Sequence, residues 1–597
     1  MEYTAFLQRY FKGERKRELE VTMTRGLYDR IYGALTPKQM EILEDRSQFI
    51  AVCAGPGSGK TRVLVHKLAC LLIEEDVKSE ELLMLTFSRA AATEFAVRLR
   101  DLLKGAARFV EIRTFHSFCF DLLGRYGSLS ESEGVVAEAA EKIRAGEVEA
   151  SRIAKTVLVL DEAQDMSASE FDLVEALLEH NETLRIIAVG DDDQNIYTFR
   201  GASSEHFRKL LTKYEASHHQ LLDNFRSTPE VVRLSNEWAR QIPNRLKTDA
   251  GRAVRQSGGF VRVVSHNTNS VVAPAVEALL KDHPTGRTAV LTRTNSEARE
   301  ACSRLLARKV PARLIQEERH VSPALVRELY RVLDYFRRRL ARDGGANVIS
   351  DNLWDVMMSH LKKTCSQSAV YDRCVALLKK FNSSVMGARY LSDLETYLWE
   401  SDLDDGREAD QETILVSTIH KAKGTEFDNV CLVLGSRSSD EESYLREVFV
   451  GITRAKTCLQ IHHGPDAFLH ERPASLSFVE YRKEERTWPP AEMLQMSLGY
   501  DGLFLDYFIP RQHLIQKLQS GDSLTLRNSE LFCRTETGEE VSVARFSKKA
   551  CEEMRRIMAG GYVVSGASVR LMVYWRKMGS EKDTLILLPD LFFRRRP

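Results

Sequence analysis

Long apolar runs are missing from this chain of 597 residues. No stretch approaches the roughly 18 apolar residues of a membrane-crossing helix, and the start (Met1, Glu2, Tyr3, Thr4) lacks the apolar centre of a secretory leader. Net charge is missing too. The 85 basic side chains balance 85 acidic ones, so no global field marks a binder of polyanions, although a local groove needs none. The ten cysteines (Cys53, Cys70, Cys119, Cys302, Cys365, Cys374, Cys431, Cys458, Cys533, Cys551) form no close pairs. That spacing argues against a zinc or iron–sulfur site and for a reducing compartment. These absences predict a soluble, cytoplasmic protein with no membrane partner, long enough for several domains.

What is present begins with a glycine loop. The apolar run Phe49–Cys53 reads as a buried strand. Ala54, Gly55, Pro56, Gly57, Ser58, Gly59, Lys60 and Thr61 follow it, and then Val63, Leu64, Leu68, Leu71 and Leu72 recur at helical spacing. Strand, glycine loop and helix together make a P-loop. Glycines let backbone N–H groups turn in around phosphates, and the helix N-terminus adds partial positive charge. Lys60 is placed to reach the β- and γ-phosphates, and the Thr61 hydroxyl to ligate Mg²⁺. The loop opens on Ala54 where the strict pattern has Gly.

A second apolar run, Thr156–Leu160, ends in Asp161, Glu162, Ala163, Gln164 and Asp165. A central strand delivering two adjacent carboxylates suits phosphoryl chemistry: Asp161 for Mg²⁺, Glu162 to activate water.

The remaining motifs run in order: Leu35–Gln39, Leu85–Ala91, Arg113–Ser117, Val189–Ala202, Asp223–Thr228, Ser417–Phe427 and Val450–Lys456. With the glycine loop and the 161–165 segment, this series resembles the superfamily-1 DNA helicases of the UvrD/Rep/PcrA type, over about residues 35–463. The run 54–202 is also similar to the UvrD-type half of bacterial proteins that join it to a RecQ-type helicase. The resemblance implies two RecA-like motor domains in an α/β fold, driven by ATP and Mg²⁺ along single-stranded DNA from 3′ to 5′. It implies that Gln39 reads adenine, Arg62 lies beside the base, Phe225 stacks on it where the family has Tyr, and Glu426 contacts the ribose. Gln194 would sense the γ-phosphate, while Arg226 and Arg454 reach it from the second motor domain. Tyr197 and Phe199, two apart after Gln194, would project aromatic faces to one side of an extended segment, which suits sequence-tolerant stacking on bases. The resemblance matches Phe199 to an aromatic that wedges between bases, and Phe87, His116, Arg200, His420 and Lys423 to positions that touch single-stranded DNA. In the second motif the family's Asn-Lys pair is replaced by Arg89 and Ala90, with Arg89 supplying the cation one position early.

The expected organisation is an amphipathic segment at 1–30, a first motor domain at 31–220 with a short helical insertion at 118–156, and a second at 221–465 with a helical insertion at about 320–410. A basic, β-rich domain fills 466–597. Helices are expected at Phe120–Tyr126, Ser132–Ala145, Pro323–Leu340, Asn352–Leu361, Ser368–Phe381, Leu391–Trp399 and Lys548–Met558, with strands at Ser523–Leu526, Glu540–Ala544 and Ser568–Tyr574. Residues 541–597 carry twelve Lys/Arg against five Asp/Glu. The insertions are reduced relative to the family, which points to translocation with strand separation at single–double-strand junctions assisted by a partner. A second reading is an ATP-gated DNA-sensing subunit. It would need a partner nuclease or other effector, since no nuclease carboxylate–lysine signature is present.

Overall fold

The computed structural model describes residues 25–596 except 34, 76, 88, 104–109, 124–133, 199–200, 257, 316–320, 343–346, 386–387, 402, 404–412, 470–473, 487, 536, 578–579 and 581. Most of the amphipathic segment expected at 1–30, together with Phe199 and Arg200, lies outside the described residues. Arg25–Tyr32 is a helix that buries Tyr28, Ile31 and Tyr32 on the first core.

The first body is a parallel sheet of β1 (Phe49–Ala54), β2 (Leu82–Thr86), β3 (Glu111–Thr114), β4 (Val157–Leu160), β5 (Arg185–Gly190) and β6 (Ser217–Leu221). The spatial order is β3-β2-β4-β5-β1-β6. Both faces are covered, which is why its strands read as unbroken apolar runs. Along β1, Ile50, Val52 and Ala54 enter one core while Ala51 and Cys53 enter the other. Helices Pro37–Glu44, Lys60–Ile73 and Arg89–Leu103 cover the first face; Phe115–Leu122, Val135–Arg144 and Ala168–His180 cover the second. The middle strands run in parallel register, Cys53 beside Gly190 and Leu160 beside Ala188. The glycine loop, Asp161 and Asp191 therefore leave the sheet at one edge, where ligands of such sheets bind.

The second body is also parallel: β7 (Val261–His266), β8 (Thr288–Thr292), β9 (Ala312–Leu314), β10 (Ile414–Thr418), β11 (Phe427–Leu434), β12 (Ala455–His463) and β13 (Glu480–Glu484). Their order is β9-β10-β8-β11-β12-β7-β13. The helical insertion sits between β9 and β10. Its helices are Arg327–Arg342, Asp351–Cys365, Tyr371–Ser384 and Leu391–Glu400, within a few residues of the expected ones. The first starts late because Pro323–Leu325 forms a 3₁₀ turn capped by Ser322.

The C-terminal residues form an antiparallel sheet: β14 (Met493–Ser497), β15 (Ser523–Arg527), β16 (Glu530–Arg534), β17 (Glu540–Arg545), β18 (Tyr562–Arg576) and β19 (Asp583–Arg595). Its order is β14-β19-β18-β15-β16-β17. This sheet and the helical insertion are not separate bodies. Leu329, Phe336 and Leu377 share one core with Phe508, Val573 and Phe593. The Ala369 N–H donates to Ser520 O (2.9 Å), the Tyr330 hydroxyl to Asp583 (2.6 Å), and the Tyr330 and Tyr574 rings stack at 3.9 Å. No helix of the described residues is long and apolar enough to cross a membrane.

Candidate nucleotide and nucleic-acid sites

The loop after β1 takes its shape from two glycines. Gly57 and Gly59 adopt φ of 68° and 84°, left-handed values that glycine reaches without steric cost. A Cβ on Gly57 would stand 2.6 Å from Arg226 Cβ and 2.9 Å from Asn224 Oδ1. The loop is also held from outside. The Gly55 N–H donates to Leu221 O (2.8 Å), the Phe225 N–H to Gly57 O (2.9 Å), and Asn224 Nδ2 to Pro56 O (2.8 Å). Asn224 Oδ1 in turn accepts from the N–H groups of Arg226 (2.9 Å) and Ser227 (2.7 Å). Asn224 thus clamps the glycine loop to the arginine segment, a role that sequence reading missed. The buried Ser58 hydroxyl finds no partner among the described residues, which fits a loop shaped for phosphate oxygens.

Lys60 and Thr61 open the helix Lys60–Ile73, and Arg62 beside them is exposed. Lys60 Nζ lies 3.6 Å from Glu162 Oε2. Glu162 has a φ of 50°, a left-handed value that costs a non-glycine residue about 1 kcal/mol or more. That backbone turns its carboxylate back under the loop, where Gln164 Nε2 donates to it at 2.6 Å. Burial pushes the Glu162 carboxyl up, but Lys60, Lys423, Gln164 and Arg454 outweigh it and hold it down at about 2. Asp161 goes the other way: burial and the neighbouring Glu162 raise it to about 7, against Lys60. It accepts from the Thr86 hydroxyl at 3.4 Å. The oxygen donors of Thr61 and Asp161 suit a hard cation such as Mg²⁺, which completes its shell with water and phosphate. A Mg²⁺ held there would supply charge neutralisation on the phosphate oxygens and would favour the ionised form of Asp161.

Residues from the second body close the other side. Arg226 Nε donates to Glu426 (2.7 Å) and Nη1 to Thr453 O (3.2 Å); Glu426 also pairs with Lys456 at 2.6 Å. Arg454 is buried, and its Nη2 donates to Gln194 Oε1 (2.7 Å) while Nη1 donates to Thr425 O (3.1 Å). Burial and Arg226 beside it lower the Arg454 guanidinium to about 9, which leaves it charged at neutral pH. Gln194 gives its Nε2 to Asp191 at 2.6 Å.

A cavity of about 310 Å³ opens beside the loop, lined by Gln39, Ser58, Leu221, Asp223, Phe225 and Arg252 among others. Phe225 is exposed there, a free ring face for a base. Gln39 lies at the same cavity with both amide ends in use. Its Oε1 accepts from the Thr36 N–H (3.0 Å) and its Nε2 donates to Ser58 O (3.2 Å). The Thr36–Gln39 capping box of the helix Pro37–Glu44 therefore also braces the P-loop.

The residues expected to touch DNA divide. Tyr197 donates its hydroxyl to His420 O at 3.1 Å, and Lys423 lies over its ring at 4.9 Å. Lys423 pairs with Asp165 and donates to Gln194 O at 2.8 Å, so these side chains bridge the two bodies beside Lys60 and Glu162. His116 is exposed on the helix Phe115–Leu122, and Phe87 is half-buried with its ring 5.1 Å from Phe115. Arg89 opens the helix Arg89–Leu103.

Sequence reading also missed the partners of Asp191, Asp192 and Asp193. All three are buried, and so is Lys247, which reaches Asp191 and lies 3.0 Å from Asp193. Arg245 forks onto Asp193 (2.8 and 2.7 Å), and the Leu246 N–H donates to Asp192 (2.6 Å). Burial opposes the Lys247 charge, yet Asp191, Asp193 and Asp192 outweigh it and hold the ammonium well above its usual range. Three acids in a row after a buried strand were the available signal, since buried carboxylates demand cations.

Comparison with known proteins agrees with this geometry. The UvrD/REP helicase N-terminal domain matches residues 35–148 and 145–215, and the UvrD-like helicase C-terminal domains match 219–343 and 413–461. The "ATP-dependent DNA helicase UvrD1" of Mycobacterium tuberculosis is 25% identical over 410 residues, 51% of this chain and 53% of that protein. The "ATP-dependent DNA helicase PcrA" of Bacillus subtilis is 25% identical over 367 residues, 45% and 49%. "ATP-dependent DNA helicase SRS2" of Saccharomyces cerevisiae is 36% identical over 97 residues, 16% of this chain and 8% of that protein. The chain spans about half the length of the first of these relatives. With the N- and C-terminal family domains in sequence on two parallel-sheet bodies that meet at one P-loop, the chain belongs to the UvrD/PcrA-type superfamily-1 helicases.

Proposed function

We propose that this protein is an ATP-driven translocase on single-stranded DNA and a DNA helicase, moving 3′ to 5′. One observation carries the reading. Lys60 and Glu162 stand 3.6 Å apart under the glycine loop, and Arg226 and Arg454 reach the same cleft from the second body. A γ-phosphoryl group held there would face cations from both bodies, the arrangement that stabilises charge in phosphoryl transfer. Without nucleotide, Lys60 suppresses the basicity of Glu162. As Lys60 turns to the phosphates, Glu162 loses that partner and gains strength as the group that orients and deprotonates water. Phosphate release removes what Arg226 and Arg454 grip, so the cleft opens. The joint made by Tyr197, His420 and Lys423, themselves expected to touch DNA, is tied to Asp165 and Gln194, which suits the transmission of that motion.

Strand separation is expected to depend on the accessory body formed by the insertion and the C-terminal sheet. Along Arg327–Arg342, Arg331, Tyr335, Arg338, Arg339 and Arg342 line a groove of about 500 Å³ with His360, Thr364 and one acid, Asp334, which pairs with Arg338 at 2.9 Å. These positions lie on one helix face, opposite the buried Leu329, Val332, Leu333 and Phe336. Cations repeated along one helix face at a pitch of about 5.4 Å suit contact with successive phosphates of a strand. The test is ATP hydrolysis with and without single-stranded DNA, alongside displacement of an annealed strand from 3′- and 5′-tailed duplexes. Stimulated hydrolysis with weak displacement restricted to the 3′-tailed substrate is expected. Stimulation without movement along the strand would favour the DNA-sensing subunit with a partner effector, and no hydrolysis would overturn both readings.

A further inference from the structure

We propose that Asp191 and Lys247 are positioning residues for Gln194, fixing which end of its amide faces Arg454. The proposal rests on the reading of the cleft as an ATPase centre. Asp191 uses its two oxygens in different directions: Oδ1 accepts from Lys247 Nζ, and Oδ2 accepts from Gln194 Nε2 at 2.6 Å. With its NH₂ committed to Asp191, Gln194 can only present Oε1 to the Arg454 guanidinium, and it does so at 2.7 Å.

A glutamine amide is nearly symmetric in shape, so packing alone does not choose its orientation; the hydrogen-bond partners do. Guanidinium has no acceptor. A reversed Gln194 would set N–H against N–H and free Arg454 from the turn after β5. The carboxylate of Asp191 prevents this because it accepts on both sides and donates on neither.

The chain makes Asp191 a dependable acceptor by an unusual route. Residues 242–248, which follow the helix Pro229–Ala239, bring Lys247 and Arg245 back onto the turn at the end of β5. Asp191 and Asp193 are fully buried, and Lys247 is 5% exposed, so these charges answer one another rather than solvent. Arg245 is occupied by Asp193 through a two-pronged contact, which leaves Lys247 to serve Asp191. The order is therefore Lys247, Asp191, Gln194, Arg454. It runs from residues 242–248, which precede the second sheet, through the first body, to the arginine of the second body.

Asp191→Asn tests the order with almost no change in shape. The substituted amide must aim its NH₂ either at Lys247 or at Gln194, and both are donors. The buried Lys247 ammonium claims the amide oxygen and turns the NH₂ toward Gln194, so the hold on Gln194 is lost and the maximal DNA-stimulated hydrolysis rate should fall about tenfold or more, the worth of a buried hydrogen bond to a charged group. The KM for ATP should change little, because the glycine loop is untouched. The deciding measurement is the same substitution in a Gln194→Met background. If Asp191 acts through Gln194, Asp191→Asn costs nothing further there. A merely structural role would lower the rate by the same factor in both backgrounds, and that outcome overturns the proposal, as does a wild-type rate from Asp191→Asn alone.

Should Asp191→Asn melt too low to assay, Lys247→Met supplies the reading. Lys247→Met removes the cation that claims the amide oxygen, and Asp191→Asn then removes the uncompensated buried charge while leaving the amide free to turn its oxygen to Gln194, so the double variant should hydrolyse ATP faster than Lys247→Met by itself. A slower or equal double variant overturns the proposal. Wild-type protein and Lys60→Ala are run beside them. A wild-type chain without DNA-stimulated hydrolysis would sink the ATPase reading itself, an outcome distinct from failure of the positioning.

Discussion

Glu162 sits in a left-handed backbone conformation beside Lys60, and the strain makes sense only if the carboxylate is needed where that conformation puts it. Glu162→Gln retains the Gln164 contact geometry and should keep nucleotide affinity, since the loop and Lys60 remain. Water activation is lost, so turnover with single-stranded DNA is expected to drop about a hundredfold or more. A rate within about threefold of wild type would remove Glu162 from the role. Gly57 offers a second residue-scale test. Alanine there meets Arg226 and Asn224 at contact distances too short to hold, and its left-handed φ adds about 1 kcal/mol. Gly57→Ala should therefore weaken ATP binding by pushing Arg226 away, read as a raised KM. The loop, Asp161 and Glu162 were legible in the sequence because each is contiguous and follows a strand. Asn224 and Lys247 were not, because their partners lie 168 and 56 residues away and a polar loop has no period to betray them.

Elements were readable where periodicity was strong. The insertion helices declare themselves by apolar residues at three and four spacing, and their ends shift by a few residues, with Ser322 capping the 3₁₀ turn before the first and Ser350 capping the second. The strands β14, β16 and β19 were not legible. They carry too mixed a pattern, with Pro589 inside β19; β14 and β19 take their places through the long pairing of β19 with β18, and β16 through its neighbours β15 and β17. Two adjacent strands of the second sheet carry a pH-sensitive pair. His266 Nε2 lies 3.1 Å from His462 Nδ1, and both rings are buried. Burial lowers His462 to about 3, with His266, Arg262 and His463 adding to it. Burial likewise lowers His266 to about 4, with Glu484 opposing and His463 assisting. The folded state thus holds both neutral, while the unfolded chain takes up protons below about pH 6.5. Stability is complete above that value and is lost as pH falls toward the folded values, by about 1–2 kcal/mol per histidine at pH 5. Urea midpoints at pH 7.5 and pH 5 measure this, and His462→Asn should flatten the difference. On the accessory body, replacing Arg338 and Arg342 by Glu should weaken binding to a tailed duplex and make its loss with salt shallower, because fewer phosphates are neutralised, while leaving DNA-stimulated hydrolysis within about twofold.

At the scale of the whole molecule, the two halves of the accessory body lie far apart in sequence but share one core, and the sequence could not reveal this. A helix's apolar stripe announces that it will be covered and says nothing of what covers it. The consequence bears on how the C-terminal sheet can be removed. Cutting after the motor, at residue 488, strips Phe508, Ile515, Val569, Val573 and Leu587 from the core that also holds Leu329, Phe336, Leu377 and Leu394. Each large side chain so exposed costs about 1.5–3 kcal/mol, and a handful exceeds the about 5–15 kcal/mol by which a domain is stable. Deleting 488–597 should therefore unfold the insertion as well, giving aggregation or loss of the corresponding melting transition instead of a clean defect in duplex binding. Removing both pieces together, 316–412 replaced by a flexible linker and 488–597 deleted, leaves the two parallel sheets with their own cores. That double deletion should stay soluble and retain ATP hydrolysis stimulated by single-stranded DNA, with affinity for tailed duplexes reduced to that for the tail alone. Circular dichroism melts of the two deletions beside the full chain separate the cases. A single deletion that melts like the full chain would refute the shared core, and a double deletion that cannot hydrolyse ATP would place the accessory body inside the motor's working parts.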